Sequence, residues 1–545
     1  MQTSNTIPVD LDLRHLIKRP VKTALGKPEN AYPVIDIFAG PGGLGEGFSA
    51  ARDRKKRRRF RSAVSIERDQ FSHQTLLLRH FFRQFPDGEA PPEYYDFLAG
   101  KITATELFTT FPDEYTHAQE SAQKIELGEN SHETVRELIG KRLRGKKWWT
   151  LVGGPPCQAY SLVGRSKMKN DPKRDFENDH RHKLYLEYLK IVADHEPPIF
   201  VMENVKGLLS AKIEGESAIT RIVRDLRHPR TAISTARVAL QYRLYSLVAN
   251  VDTEDGKEID PKKFLVQAED YGVPQARHRM FIIGVRSDIK VEPGRLKKSE
   301  SPTVREAIES LPKIRSELSG RKDTREKWKS ELLKISDVDF SKAWYVSDKH
   351  QKLRNDLRLP SLRAASHPWA SFSRKYEYRR DQHWKLIRSL CDSRLTVLTA
   401  HESRSHMGDD LRRYLFAAMY AKVFRRSPRL KDFPKRLLPD HKNVEKALDG
   451  SMFSDRFRVQ IANEVSTTIT SHISKDGHYF IHYDPEQCRS LTVREAARLQ
   501  TFPDNYFFAG PRTEQYHQVG NAVPVWLARQ IAEIVADILD RAAKA

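Results

Sequence analysis

Six residues, Gly40-Pro41-Gly42-Gly43-Leu44-Gly45, constrain this chain more than any others. They follow Tyr32-Pro33-Val34-Ile35-Asp36-Ile37-Phe38, which reads as a buried strand, and lead into Glu46-Gly47-Phe48, where a helix opens. Such glycines let a strand turn sharply into a helix and let a ligand approach the backbone and the helix start. Arg54 to Arg61 form a basic cluster, expected as a solvated loop, before a second strand, Ala63-Val64-Ser65-Ile66-Glu67. Glu67 ends that strand, where an acid accepts hydrogen bonds from both hydroxyls of a ribose. The arrangement serves nicotinamide dinucleotides and S-adenosylmethionine alike, and Asp36 and Phe38 tilt it towards the methyl donor.

The alternation continues with a helix over Leu184 to Asp194 and strands at Ile199-Phe200-Val201-Met202 and Phe281-Ile282-Ile283-Gly284-Val285. This predicts an α/β fold with a doubly wound, mostly parallel sheet. After Leu311-Pro312 the pattern turns irregular, basic and aromatic, and near Leu491 regular helical periodicity resumes through Trp526 to Ile538. The expected division is an N-terminal arm (1–30), a first catalytic part (31–312), a smaller inserted domain (313–465) and a return to the first domain (466–545). Thr303-Val304-Arg305-Glu306 and Thr492-Val493-Arg494-Glu495 each have the form of a capping box, the signature of a well-capped helix start.

Lys and Arg number 94 against 72 Asp and Glu, a net charge of +22 that points to a polyanionic partner such as nucleic acid. No apolar run reaches the roughly 18–20 residues of a membrane span. The polar first 30 residues lack a secretory core. Three cysteines far apart form neither a disulfide framework nor a zinc spacing, so a reducing cytoplasm is expected. His401 and His406, and the group His472, His478 and His482, lack a recognised ligand spacing, so no metal is expected and they read as structural or phosphate-contacting.

Cys157 lies in Gly153-Gly154-Pro155-Pro156-Cys157-Gln158, after the apolar run Trp148 to Val152. A thiol on so stiff a loop, at the end of a buried strand, is placed to act as a nucleophile. Taken alone, a free cysteine is more often a small buried hydrophobe.

Both segments together resemble the DNA cytosine-5 methyltransferases of bacterial restriction–modification systems. Asp36 to Gly43 looks like the family's cofactor loop and Gly154-Pro155-Pro156-Cys157-Gln158-Ala159-Tyr160-Ser161 like its catalytic loop. Glu203-Asn204-Val205, Gln275-Ala276-Arg277-His278-Arg279, Leu491 to Asp504 and Gln518 to Pro524 follow in the family's order. The resemblance implies a Rossmann-like S-adenosylmethionine-dependent methyltransferase domain with an inserted target-recognition domain. Cys157 would add to carbon 6 of a flipped-out cytosine, Glu203 would hold or protonate ring nitrogen 3, and Arg277 and Arg279 would hold the carbonyl oxygen, orient Glu203 or bind the flanking phosphate. Alternation lets both arginines face one side, and a structural ion pair is open for one of them.

By the same resemblance S-adenosyl-L-methionine would meet Phe38, Gly40, Gly42, Gly43, Glu67, Leu184, Asn521 and Val523, while Gln158, Ser161, Arg165 and Thr470 would meet double-stranded DNA. A separate endonuclease and a monomeric state are also implied. One departure stands out. The family's Asp-Ile or Asp-Val pair at the adenine is best matched by Gly100-Lys101-Ile102, where Lys replaces the acid. An RNA-modifying relative is the nearer rival reading. A catalytically silent DNA-binding protein has no need of Cys157, Glu203, Arg277 and Arg279 together, and a nicotinamide dehydrogenase leaves Pro-Pro-Cys-Gln unexplained.

Overall fold

The computed structural model describes residues 7–13, 31–156, 180–213, 216–233, 241–251, 260–320, 323–339, 347–358, 376, 384–440, 444, 455–475 and 477–545. Its centre is an eight-stranded sheet. β1 (Tyr32–Ile37) pairs with β2 (Phe60–Glu67), and β2 with β3 (Ala122–Lys124). On its other side β1 pairs with β4 (Thr150–Gly153), and β4 with β5 (Ile199–Val205). All four pairings are parallel. The chain then forms β6 (Tyr242–Tyr245) and β7 (Leu265–Gln267), passes through the short β8 (Gln275–Ala276) and enters β9 (His278–Arg286), which is antiparallel to β5, β6 and β7. The sheet expected to be mostly parallel is thus parallel on one side of β5 and antiparallel on the other. Antiparallel neighbours need no helical crossover, and short turns join β7 to β9.

Period-two alternation splits β1 between two layers. Val34 packs with Leu44 and Phe48 of α1 (Gly43–Ala50). Ile35 and Ile37 pack against the opposite face, with Val135 and Ile139 of α6 (His132–Leu143), Tyr188 of α7 (His180–His195) and Ile222 of α8 (Ala218–Arg227). α2 (Gln70–Phe82) follows β2. Before β3 come α3 (Pro92–Leu98), α4 (Ala104–Thr110) and α5 (Pro112–Ser121), welded to α2 by aromatic contacts such as Phe81–Phe108, with centroids 5.1 Å apart. Gly284 sits opposite Phe200 in the β5–β9 register, where its missing side chain leaves room for the ring. The basic cluster after α1 is less solvated than expected: Arg58 is tied to Asp87 and Arg59 to Asp540, while Arg54, Lys55 and Lys56 are exposed.

α9 (Val304–Ile308) starts with the Thr303–Glu306 capping box. Beyond it, α10 (Arg325–Leu333), α11 (Asp348–Arg358) and α13 (Gly408–Phe424) share a cluster containing Trp328, Leu353 and Leu415. α12 (Lys385–Leu390) lies elsewhere, its Leu386 and Leu390 packing with Leu77 and Phe81 of α2. Ile481 and Cys488, past residue 465, join the cluster of α10 and α13. Apolar contacts therefore cross the expected boundaries in both directions.

The return segment holds β10 (Ser466–Thr467), paired with β8, then α14 (Val493–Leu499), α15 (Arg512–Asn521) and α16 (Val525–Lys544). α14 carries the second capping box, Thr492 with Glu495. α16 lies along α1, with Ala528 against Gly47, and it reaches the start of β1, where Tyr32 donates to Asp540 at 2.9 Å. No helix among the described residues is long and apolar enough to cross a membrane.

Candidate active site

Backbone geometry builds the first half of the site. Beyond β1, Phe38, Gly40 and Gly42 have φ of 56°, 57° and 95°. That left-handed path suits glycine and is unusual for a phenylalanine. The Gly40 N–H donates to Glu67 at 2.8 Å and the Asp69 N–H donates to its other oxygen at 2.7 Å. A side chain on Gly40 would meet nothing within 4 Å, so this stretch of backbone is open to a ligand. Gly43 is the reverse: a β-carbon there would lie 2.5 Å from the Val523 carbonyl oxygen. The buried Tyr506 hydroxyl donates to the Pro41 carbonyl and fixes the loop from behind.

Two carboxyls lie beside this loop. Burial pushes Glu67 upward, with the N–H groups of Asp69 and Gly40 opposing. Asp36 is buried to 1% exposure, and burial lifts its pKa to about 8. Its carboxyl oxygens have no hydrogen-bond partner meeting ordinary geometry among the described residues, although the Gly45 backbone is close. Open glycine backbone above a carboxylate at the strand end fits a nucleoside-bearing methyl donor.

Charge builds the second half. β4 ends at Gly153, and Gly154 lies against Glu203 at the end of β5: a β-carbon on Gly154 would be 2.6 Å from the carboxylate. The Asn204 amide reaches the Pro155 carbonyl at 3.5 Å. Glu203 is paired with Arg279 of β9 at 3.0 Å, and both side chains are 15% exposed. Burial raises the Glu203 pKa, while Arg279 and then Arg277 pull it back. A carboxyl whose acidity is weakened by burial and restored by a neighbouring guanidinium is suited to sharing a proton. Cys157, Gln158, Ser161 and Arg165 lie outside the described residues.

Arg277 departs from the expected pairing. It is 1% exposed and donates to the Ile469 carbonyl at 2.7 Å and the Gly520 carbonyl at 3.1 Å. Position 277 falls between β8 and β9, so strand alternation does not carry both arginines to the same partners. Its neighbours fasten the same junction. Gln275 accepts from Ile469 N–H at 2.8 Å, and Thr468 donates to the Ala276 carbonyl at 2.5 Å. Gly520 abuts Thr470, whose carbonyl oxygen would lie 2.6 Å from a β-carbon. Exposed Thr470 and exposed Asn521 thereby come together.

Phe38, Gly40, Gly42, Gly43, Glu67 and Val523 meet at the carboxyl ends of β1 and β2. Leu184 is buried in α7. The Gly100-Lys101-Ile102 match to the adenine-contacting pair is displaced. Lys101 sits in the turn between α3 and α4, exposed and paired with Asp96, whereas the strand beside Glu67 ends at Lys124 and Ile125. Two helices, α4 and α5, lie between Lys101 and β3. Among the histidines, His401, His406 and His482 are buried, and burial lowers their pKa values to about 4, 3 and 4, which makes them structural rather than phosphate-contacting. Sequence reasoning missed Tyr506 and Gln275 as supports of the site. Tyr506 had one signal, its place just past Thr501-Phe502-Pro503-Asp504.

An α/β sheet with a glycine loop after β1, an acid closing β2, and Gly154 and Pro155 lying against Glu203, Asn204 and a buried Glu–Arg pair defines a Rossmann-like methyltransferase. The model of the C-5 cytosine-specific DNA methylase family matches residues 115–228 and 260–536, and this chain belongs to that family of DNA (cytosine-5-)-methyltransferases. It is 31% identical over 543 residues to the type II methyltransferase M.Bpa9945I of Bacillus paralicheniformis, covering 93% of this chain and 99% of that one. It is 25% identical over 523 residues to the type II methyltransferase M.DdeI of Desulfomicrobium norvegicum, covering 92% and 88%. It is 26% identical over 439 residues to the DNA (cytosine-5-)-methyltransferase M.ApeKI of Aeropyrum pernix, covering 74% and 85%.

Proposed function

We propose that this enzyme methylates carbon 5 of a cytosine swung out of duplex DNA, as the modification enzyme of a type II restriction–modification system whose endonuclease is a separate protein. One observation carries the chemistry: the Glu203–Arg279 pair abuts Gly154, three residues before Cys157. The Cys157 thiolate bonds to carbon 6 and makes carbon 5 nucleophilic. Glu203 holds or protonates ring nitrogen 3, so the ring's developing charge is neutralised, and Arg279 orients Glu203. S-adenosyl-L-methionine, held by the Gly40–Gly43 loop and Glu67, supplies the methyl group. Loss of the carbon 5 proton then restores the double bond and expels the thiolate. The base must leave the stack for both faces of its ring to be reached. Gln158, Ser161, Arg165 and Thr470 contact the DNA, and residues 313–465 read the target. Arg277 serves as a positioning residue, holding the Thr470 and Asn521 segments together.

The test is transfer of labelled methyl to mixed-sequence DNA, with Cys157→Ala alongside. Label should appear as 5-methylcytosine and vanish in the variant. DNA carrying 5-fluorocytosine should yield a complex that survives denaturation, because fluorine cannot leave as a proton does. Transfer to RNA but not DNA would overturn the substrate, and transfer undiminished by Cys157→Ala would overturn the nucleophile.

A further inference from the structure

A second cavity lies behind the glycine loop, between α1, α2, α12 and the start of α16. It measures about 230 Å³, and its walls include Arg58, Arg79, Arg83, Arg529, Phe82 and Trp526. None of these six has a part in the chemistry above.

Its charges do not balance. Four guanidiniums, of Arg52, Arg58, Arg79 and Arg83, share two carboxylates, Glu46 and Asp87. Glu46, 5% exposed, accepts from Arg79 at 2.8 and 2.5 Å and from Arg83 Nε at 3.2 Å, with a further contact to Arg83 Nη2. Asp87 is engaged by Arg52 at 2.6 Å and by Arg58 at 2.7 Å. Arg83 Nη1 stands 3.9 Å from Asp87, beyond hydrogen-bond reach. Each guanidinium thus has a carboxylate beside it, yet four guanidiniums on two carboxylates leave the cluster with two positive charges in excess. Burial lowers the pKa of Arg83 to about 10; Glu46 opposes the shift, and Arg79, Arg58 and Arg52 reinforce it. Excess charge out of water is costly unless a counter-ion joins it.

The walls suit an oxyanion with some apolar contact. Arg79 lies over the Phe82 ring at 4.2 Å and Arg529 over Trp526 at 5.3 Å, so aromatic rings support both guanidiniums. A planar fork is the group that grips phosphate through paired hydrogen bonds. We propose that this cavity is an anion site for a phosphoryl group, carried either by free phosphate or diphosphate or by the DNA backbone. Arg79 also lies 4.8 Å from the Tyr506 ring, whose hydroxyl holds Pro41. An anion drawing on Arg79 is thereby felt at the glycine loop. That coupling rests on the loop being the methyl-donor site; the binding does not.

The test is calorimetric titration of the full chain with sodium diphosphate at constant ionic strength, with chloride as the control ion. Saturable one-to-one binding is expected, weakened at least tenfold in Arg83→Gln and severalfold in Arg529→Gln. Arg529 is at the rim and pairs with Glu533 on the surface, so its variant keeps the test valid if Arg83→Gln fails to fold by circular dichroism. Displacement of diphosphate by a short duplex would assign the phosphoryl group to DNA, and no displacement would assign it to the free anion. Absence of saturable heat beyond the chloride control, or unchanged affinity in a folded Arg529→Gln, would overturn the site. Diphosphate should also shift methyl-donor affinity severalfold; diphosphate binding without that shift would overturn the coupling alone, and neither result depends on methyl transfer.

Discussion

The two halves of the site are built by opposite means. Around β1 and β2 the work falls to backbone groups and missing side chains: Gly40 is open, Gly43 has no room for another atom, and Glu67 is held by two N–H groups. Around β4, β5 and β9 the work falls to opposed charges: Glu203 against Arg279, with Arg277 nearby. The first half is therefore vulnerable to an added atom and the second to a lost charge. Selection of a donor needs a rigid shape, whereas a reaction that moves protons and charge on a base needs groups whose ionisation is poised.

The sharpest test of the charged half is Glu203→Gln, which preserves shape and removes the proton-sharing group. Turnover should fall about 10²–10⁴-fold while methyl-donor affinity is kept. Because burial raises the Glu203 pKa, wild-type turnover should decline as pH climbs through that raised value, a decline measured in kcat rather than in the donor KM. Equal losses in donor affinity and turnover would break the division between the halves.

Gly43→Ala tests the other half. The new carbon would press on the Val523 backbone, which cannot swing away as a side chain can, and should cost about 1–3 kcal/mol of stability. Thermal unfolding and donor titration should both worsen, with DNA affinity kept. Asp36→Asn acts through titration. The native carboxyl, at about 8, keeps its proton where the unfolded one, at 3.8, has lost it. Native protein thus binds the extra proton, and stability falls as pH rises between those values, by up to about 1.4 kcal/mol per unit. Asparagine should flatten that slope in urea titrations at pH 5 and pH 8. The smallest change is expected for Lys101→Ala. Its side chain is 67% exposed, so stability should stay within about 0.5 kcal/mol. A donor KM that rose sharply would return that turn to the adenine.

The same contrast governs what could be read from residue order. The glycine turn, the strands at its flanks and both capping boxes are local features, each set by neighbours within a few positions. The role of Arg277 is not local. Its acceptors lie 192 and 243 residues further along, even though its charge is felt by Arg279 and Glu203. The place of Gly100-Lys101-Ile102 was equally hard to read: α4 and α5 lie between it and β3, the strand that runs beside Glu67. The antiparallel side of the sheet was hidden because a buried strand has the same composition in either direction.

The packing of α16 on α1 has a consequence for how the molecule is made. Tyr32 and Asp540, joined by a hydrogen bond, are 508 residues apart. At ribosomal speeds of about 5–20 residues per second, the first strand and its glycine turn wait on the order of half a minute or more for the helix that covers them. Until then Phe48 and Leu44 lack their α16 partners, and the nascent chain presents a half-covered sheet that chaperones can hold. The packing that completes the glycine loop therefore comes only with the last helix of the chain.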